Sequence, residues 1–299
     1  MTLQQLKYVV TVAECGNITE AAKQLFVSQP TVTSAIHDLE KEMQIVIFVR
    51  TNKGVILSED GERFLGHARQ VLEQVDLIEG IYKNDVVSKP HFAVSCQHYS
   101  FAVNAFVDVI RRFDAYQYDF TIREEQTHEI IEDVTNLKSE LGVIYLSSKN
   151  TEVLSKMLKR NELEFTELFT ASPHVFICDS HPLAKKNSIT MEDLQDYPYL
   201  TYEQGEYNSQ YFSEEFVSTL DSRKNIRVRD RATLFNLIIG LNGYTVCSGV
   251  ISAELNGRNI ISKPLDVDEY MRIGIISRKG VVLSRYAREY IEALKAHCM

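Results

Sequence analysis

The sequence predicts an α/β protein that begins with a winged helix-turn-helix, continues through a long linker helix and ends in a two-lobed α/β domain. Three observations predict this fold class. Residues 1–57 carry three short helix patterns and then two short strand patterns. Residues 59–82 repeat apolar side chains at three- and four-residue steps, as one long helix does. From His91 onward, short apolar strands alternate with helices, which favours a layered α/β fold.

The first three helices are predicted by apolar spacing and by capping residues. Leu3 to Val12 has helical spacing and is ended by Gly16-Asn17. Asn17 or Thr19 can cap a second helix, whose apolar face contains Ala21, Ala22, Leu25 and Phe26. Ser28 is a good N-cap for a third helix from about Pro30 to Met43, since proline is tolerated in a first turn. Small residues where two short helices cross are typical of a helix-turn-helix.

A wing follows these helices. Ile45–Arg50 and Val55–Leu57 are predicted as two short strands around the turn at residues 51–54. A small helical bundle with a solvated polar face remains the alternative for the helices alone. The added wing makes DNA binding the favoured interpretation.

The long helix starts at Ser58-Glu59-Asp60-Gly61, where its acidic groups suit a helix N-terminus. A near-heptad apolar seam follows, formed by Phe64, Ala68, Val71, Val75, Ile78 and Tyr82. Such a seam can pack within one chain or pair with its twin, and we favour a dimer. Asn84–Pro90 is predicted as a hinge.

The rest of the chain is predicted as two α/β lobes around a cleft, built on a mostly parallel sheet. Ligands in such folds sit beyond the carboxyl ends of strands. Helices are expected at Phe101–Phe113, Ile130–Leu137, Phe212–Ser218, Thr233–Gly240 and Ser284–His297. The expected domains are residues 1–58, 59–88 and 89–299, with lobe I at about 91–161 and 267–299 and lobe II at about 162–266.

Composition limits the class of protein. The net charge is −9, but residues 1–58 contain five basic and five acidic residues, so the acidic excess lies downstream and DNA binding is permitted. The sequence has no apolar run long enough for a membrane helix and no secretory leader, so we expect a cytoplasmic protein. No cofactor, metal site or catalytic residue is predicted. Five cysteines without a CxxC motif favour reduced thiols: Cys15, Cys96, Cys178, Cys247 and Cys298.

The head resembles the LysR-type transcriptional regulators. The similar residues are Ala21-Ala22, Leu25, Ser28-Gln29-Pro30, Thr33, Ile36, Leu39-Glu40, Phe48-x-Arg50 and Leu57-Ser58-Glu-x-Gly61. Weaker similarity covers the remaining chain, notably at residues 140–145, 181–183 and 240–243. Gln44 stands where the family usually has glycine. The resemblance implies a periplasmic-binding-protein-like effector domain, tetramers built from two dimers and a bacterial regulator whose promoter binding responds to a small molecule.

The DNA contacts are expected on the third helix and the wing. The helix should lie in the major groove with its N-terminal turn nearest the bases. Glutamine can pair with adenine edges and threonine can contact a thymine methyl group. Paired linker helices make the operator an imperfect inverted repeat. The candidate residues are Gln29, Pro30, Thr31, Thr33 and Ser34 on the helix, and Arg50, Thr51 and Lys53 on the wing, where Arg50 can alternatively pair with Glu40 or Glu42.

The effector, by the same resemblance, is expected at strand-to-helix turns between the lobes. Helix starts offer free backbone N–H groups to anions, which predicts a carboxylate-bearing metabolite. Glu125 and Glu203 near these turns equally favour an amine-bearing ligand such as an amino acid. The candidate contacts are Gln97, His98, Tyr99, Ser100, Thr127, Thr201 and Tyr202.

Other function classes fit the sequence less well. An enzymatic α/β domain fused to a DNA-binding head is disfavoured because GxSxG, HExxH, P-loop and GxGxxG motifs are absent from the sequence. A solute-binding protein of a transporter would share the two lobes, but the head and the missing leader oppose it. A purely architectural DNA protein would leave about 200 acidic α/β residues without a purpose.

Overall fold

The computed structural model describes residues 1–52, 54–82, 90–113, 117–205, 211–215, 223–251 and 257–298. Two compact units divide the chain near residue 90. The expected hinge lies, except for Pro90, outside the described residues. In the described part of the chain, no helix has both the length and the apolar character that crossing a bilayer requires.

The head opens with three capped helices. They are α1 (Leu3–Cys15), α2 (Ile18–Gln24) and α3 (Gln29–Met43). The Asn17 side chain accepts hydrogen bonds from two backbone N–H groups of α2, and the Ser28 hydroxyl accepts one from Thr31. Both predicted caps are therefore confirmed. The helices enclose a core that includes Val9, Val12, Ala21, Val32 and Leu39.

The wing is a two-stranded antiparallel ribbon, β1 (Phe48–Thr51) and β2 (Gly54–Leu57). Its first strand starts three residues later than the predicted Ile45. The Glu40 carboxylate explains the delay, because its Oε1 accepts from the backbone nitrogens of Ile47 and Phe48 at 2.7 and 3.1 Å. Gln44 ends α3 in the left-handed conformation with φ 56°, which is the conformation that glycine adopts most easily.

Helix α4 (Glu59–Tyr82) carries the predicted apolar seam. Near its start, Leu65 packs in the core of the head and Ala68 is buried. Farther along, Val71 and Ile78 are 40% and 57% exposed. The seam is therefore covered at one end and open to solvent at the other.

The second unit contains ten strands and five helices within the described residues. The strands are β3 (His91–Cys96), β4 (Asp119–Glu124), β5 (Leu141–Leu146), β6 (Leu163–Ala171), β7 (His174–Cys178), β8 (Tyr199–Tyr202), β9 (Asn225–Val228), β10 (Thr245–Cys247), β11 (Ile260–Pro264) and β12 (Met271–Arg278). The helices are α5 (Ser100–Arg112), α6 (Thr127–Thr135), α7 (Thr151–Arg160), α8 (Arg231–Leu241) and α9 (Arg285–Cys298), with short 3₁₀ turns at Pro182–Lys185 and Glu192–Leu194.

The first lobe is built on a mixed five-stranded sheet in the order β4-β3-β5-β12-β6. Strands β4, β3 and β5 run parallel, whereas β12 is antiparallel to both β5 and β6. Four of the five strands therefore point in one direction, as expected of a mostly parallel sheet, and β12 runs the opposite way because it re-enters the sheet from the second lobe. The expectation is wrong for the sheet of β10, β7 and β11, in which neighbouring strands are antiparallel. Strand β6 pairs with β12 along Leu163–Ala171, so lobe I includes residues that were expected in lobe II.

The second lobe contains two small sheets. An antiparallel sheet has the order β10-β7-β11, and β8 pairs with β9 in parallel. The helix predicted at Phe212–Ser218 is wrong over Phe212–Glu215, which form turns and bends, and its remainder lies outside the described residues. These turns let the side chains of Ser213, Glu214 and Glu215 point into the protein, where they are buried.

Candidate functional site

The N-terminal turns of α3 present polar side chains to solvent. Gln29, Pro30, Thr31 and Ser34 are exposed, and Thr33 is half-buried. The Thr31 hydroxyl lies 2.7 Å from the Ser28 hydroxyl, and the Thr33 hydroxyl donates to the Gln29 carbonyl at 3.0 Å. The predicted readers therefore share one accessible surface, held by a well-capped helix.

Arg50 projects from the wing beside α3. Both carboxylates that it was alternatively expected to pair with have other partners. Glu40 binds the two backbone N–H groups of Ile47 and Phe48, and Glu42 binds the N-terminal ammonium group of Met1 at 2.6 Å. Arg50, Thr33 and His37 line a hollow of about 210 Å³ between helix and wing. Thr51 is exposed, and Lys53 lies outside the described residues.

A cleft of about 440 Å³ lies between the two lobes of the second unit. Its walls come from residues at or after the ends of four strands, namely β3, β4, β8 and β9, and from the start of α6. This is the location expected for ligands of α/β sheets, beyond the carboxyl ends of strands. The lining residues are His98, Glu124, Glu125, Gln126, His128, Glu129, Glu203, Gly205 and Arg229.

Three predicted contact residues form a buried hydrogen-bonded ladder behind the cleft. Gln97 Nε2 donates to Thr127 Oγ1 at 2.7 Å, and Thr127 Oγ1 donates to the Phe212 carbonyl at 2.8 Å. The Tyr99 hydroxyl donates to Gln97 Oε1 at 3.1 Å. These side chains therefore brace the lobes, because Thr127 belongs to the first lobe and Phe212 to the second.

His98 and Tyr202 are brought together at the cleft. Their rings stack with centroids 3.8 Å apart and planes 6° from parallel. His98 Nδ1 lies 2.8 Å from Glu214 Oε2, and Nε2 lies 3.1 Å from the Arg229 carbonyl. Burial opposes protonation of His98, but the Glu214 carboxylate outweighs it, so the pKa of His98 is raised.

Of the seven predicted contact residues, His98 alone is among the described residues that line the cleft. Ser100 is buried, and its hydroxyl lies 3.5 Å from the Val250 carbonyl. Thr201 is half-buried on β8, where it pairs with Arg227. Ser100 starts α5, as expected of a strand-to-helix turn, whereas Thr201 lies within β8, and both side chains are outside the set that surrounds the cavity.

The cleft wall is acidic. Glu124 pairs with Arg231 at 2.9 Å, and Glu203 pairs with Arg229. Burial raises the pKa of Glu124, although Arg231 and His98 oppose the rise. Glu125 and Glu129 add two further carboxyl groups. Carboxylates therefore outnumber guanidinium groups among the described lining residues.

Sequence reasoning missed the buried acids Glu214 and Glu215. Glu214 contacts the His98 turn, and Glu215 Oε1 accepts from the Tyr202 backbone N–H at 2.6 Å. Burial, together with the Glu214 charge, raises the pKa of Glu215 to about 8. The adjacent glutamates were visible in the sequence, but their predicted helix gave no reason to bury them.

Two of the described cysteines, Cys96 and Cys247, lie in environments that disfavour thiolates. Cys96 and Cys178 are buried, and Cys15 and Cys247 are partly buried. Burial raises the pKa of both Cys96 and Cys247. Since the thiolate is the reactive form, these two thiols are poorly activated.

Two family models match the chain. Residues 3–62 match the bacterial regulatory helix-turn-helix protein of the lysR family, and residues 96–299 match the LysR substrate binding domain. The chain belongs to the LysR family. It is a DNA-binding transcription regulator of that family, with a C-terminal effector-binding domain, and the family consists of transcription regulators rather than enzymes.

Known proteins resemble the LysR-family chain along almost its whole length. The uncharacterized HTH-type transcriptional regulator YbhD of Escherichia coli K12 is 26% identical over 302 residues, covering 98% of this chain and 90% of YbhD. A full-length OxyR variant from Pseudomonas aeruginosa shares 22% identity with a TM-score of 0.65, covering 99% and 98% of the two chains. Full-length CbnR complexed with its target DNA shares 17% identity with a TM-score of 0.58, covering 99% and 100%. The two structures show that the fold is shared.

Proposed function

We propose that this LysR-family regulator binds an imperfect inverted repeat as a dimer and responds to a small amine-bearing effector in the interlobe cleft. Of the two ligand classes that the sequence suggests, a carboxylate and an amine, the cleft favours the amine. The observation that carries this choice is the acidic wall formed by Glu124, Glu125, Glu129 and Glu203. A ligand cation is attracted there, whereas a ligand carboxylate is repelled.

For the DNA end, we assign base contacts to Gln29, Pro30, Thr31, Thr33 and Ser34. Arg50, Thr51 and Lys53 are assigned to phosphate or minor-groove contacts. The exposure of the described members other than the half-buried Thr33 supports the assignment, because groups that contact DNA must be accessible in the free protein. CbnR, a structure of the same fold, was solved in complex with its target DNA. The cytoplasm, where bacterial DNA lies, is the expected location.

Self-association is proposed through α4. Val71 and Ile78 leave its apolar seam exposed beyond the head, and a second copy can cover such a seam. We propose a dimer by this contact and, by the family pattern, a tetramer of two dimers. Sedimentation of the full chain tests both states, since Ile78→Glu should shift the protein toward monomer while leaving the head folded.

The effector class is tested by thermal shift of the full chain. Each amino acid is compared with its amide, which lacks the carboxylate, and its N-acetyl derivative, which lacks the cation. A ligand at 100 times its Kd stabilises the native state by about 2.7 kcal/mol. We expect amides of active amino acids to stabilise and N-acetyl derivatives to fail. The reverse ranking would restore the carboxylate alternative.

Two cleft variants and one control variant locate the binding site. Glu125→Gln and Glu129→Gln remove charge from the cleft wall and should weaken the active amine. Glu152→Gln removes charge from α7, at a side chain that is 80% exposed and belongs to a surface ion pair with Lys156. Equal weakening in all three variants would place the effector elsewhere.

A redox signal is the second candidate that the five cysteines raise, and the burial of Cys96 and Cys247 disfavours it for these two thiols. The raised pKa values of Cys96 and Cys247 leave little thiolate near neutral pH. Peroxide treatment should therefore leave operator binding unchanged. A peroxide-dependent change that disappears in a cysteine-to-serine variant would overturn this choice.

A further inference from the structure

The turn that follows β3 holds a carboxylate that the chain itself supplies. Glu214 Oε2 accepts from the His98 backbone N–H at 2.9 Å. The His98 Nδ1 atom lies 2.8 Å from the same oxygen. Gln204 Nε2 donates to Glu214 Oε1 at 3.2 Å. A backbone amide, an imidazole and a side-chain amide thus converge on one carboxylate.

The His98 ring is set up to bind an anion. Its Nε2 faces the Arg229 carbonyl at 3.1 Å, while its Nδ1 faces Glu214. Both ring nitrogens therefore face acceptors, and only the doubly protonated imidazolium donates to both. Stacking on the Tyr202 ring holds the ring plane. The result is a charge-assisted hydrogen bond between His98 and Glu214, which is stronger than a neutral one.

Glu214 comes from the opposite lobe. His98 follows β3 in lobe I, whereas Glu214 lies between β8 and β9 in lobe II. The neighbouring residues make the same crossing, since the Tyr145 hydroxyl donates to the Ser213 carbonyl at 3.0 Å and Thr127 Oγ1 donates to the Phe212 carbonyl. The segment Phe212–Glu215, which we call the latch, therefore joins the two lobes.

We propose that His98 and Gln204 together form a carboxylate-binding site. In the free protein this site is occupied by an internal ligand, the Glu214 side chain. External carboxylates enter this site only when Glu214 has left it. The vacated space opens to solvent, because His98 lines the cleft. The inference rests on the proposed function in one respect only: the site adjoins the cleft that we assign to the effector.

The latch has a regulatory consequence. Opening the lobes must separate the Glu214 carboxylate from the His98 imidazolium, and each buried partner then loses hydrogen bonds that water must replace. A ligand that binds between the lobes therefore acts on a closed, self-ligated state. If the ligand opens the lobes, its binding free energy is reduced by the free energy needed to break the latch contacts.

Chemical rescue tests the site in the full chain. Glu214→Ala should lower the Tm and leave a carboxylate-sized space beside His98. Sodium propionate, at tens of millimolar and constant ionic strength, should then raise the Tm of Glu214→Ala by about 3 °C or more in a saturable manner. Propionamide, which has the same shape without the charge, should not. Wild-type protein should respond to neither compound.

A control variant separates this site from general charge removal. Glu129→Ala deletes another cleft carboxylate, one that accepts from the Gln126 backbone N–H. Propionate should not stabilise it. Equal rescue of both variants, or no rescue of Glu214→Ala, would overturn the proposal. Neither result depends on the effector, so the proposed amine ligand is tested separately by the thermal-shift comparison.

A second variant tests the proposal even if Glu214→Ala does not fold. Glu214→Gln keeps the shape and removes the charge, so the pKa of His98, followed by NMR, should fall below its wild-type value. An unchanged His98 pKa would show that Glu214 is not its ligand.

Discussion

Polar side chains serve opposite purposes in the two regions described above. On the DNA-facing head, Gln29, Thr31, Ser34 and Arg50 point into solvent. Around the cleft, Gln97 and Thr127 are almost fully buried and bind one another. The head offers exposed polar groups to a partner that arrives from outside, whereas the lobes use theirs to hold the protein together.

This difference predicts which property a substitution in each region should change. Removing an exposed donor costs little stability, because water already satisfied it. Removing one member of a buried pair leaves the other unsatisfied. Changes in the head should therefore appear in operator affinity, and changes behind the cleft should appear first in stability.

The largest expected effect is that of Thr127→Val. This change keeps the shape but removes the hydroxyl that accepts from Gln97 and donates to the Phe212 carbonyl. We expect a loss of about 2 kcal/mol in unfolding free energy with unchanged operator affinity at low temperature. Denaturant unfolding and fluorescence anisotropy measure the two quantities. Thr201→Val, at a half-buried position, is the control, and an equal loss there would break the comparison.

The next effect concerns pH and Glu215. The folded-state pKa of Glu215 is raised to about 8 from an ordinary 4.5, so the unfolded chain loses this proton first as pH rises. Stability should therefore fall between these two values, by at most about 1.4 kcal/mol per pH unit. His98, whose pKa is also raised, adds a fall of the same sign.

Glu215→Gln removes the Glu215 part of this dependence. We expect the variant to exceed the wild-type Tm at pH 8 and to match it near pH 5, as measured by calorimetry. The same gap at both pH values would show that Glu215 is ionised in the folded protein.

Arg50→Ala tests the expectation that changes in the head alter operator affinity rather than stability. Loss of one phosphate contact should weaken operator binding about tenfold and reduce the slope of log affinity against log salt by about 1. The Tm should not change. Arg63→Ala, at an exposed arginine paired with Glu59 on α4, is the control. If both variants weakened binding equally, the loss would reflect general positive charge rather than the wing.

The smallest expected effect is stabilising. Gln44→Gly relieves a left-handed residue at the end of α3, and we expect a gain of about 0.5 kcal/mol with a slightly higher Tm. Operator affinity should be preserved. A loss of stability would mean that the Gln44 side chain makes a compensating contact.

The head was predictable because its signals are local. Asn17 and Ser28 lie within three residues of the N–H groups that they cap, so spacing alone identified them. The two strand patterns around the turn at residues 51–54 then predicted the wing, although Glu40 delayed its first strand by accepting from backbone groups seven and eight residues away.

The cleft was only partly predictable because its contacts are not local. The turns at His98 and Thr127 were found as strand-to-helix junctions, but Glu214 is 116 residues from His98 along the chain. No periodic pattern reports such a pair. The antiparallel return of β12, which brings β6 into the first sheet, likewise depends on pairing between strands that lie far apart in the sequence.

The Glu40 carboxylate has one more consequence. Glu40 lies on α3 and accepts hydrogen bonds from the backbone N–H groups of Ile47 and Phe48, where the first strand of the wing begins. These two hydrogen bonds tie α3 to the first strand of the wing, so we expect the two elements to move together. The spacing between α3 and Arg50 is then fixed. We therefore expect weaker binding to operators in which the base site proposed for α3 and the backbone site proposed for Arg50 are spaced differently, even where each proposed contact taken alone is available.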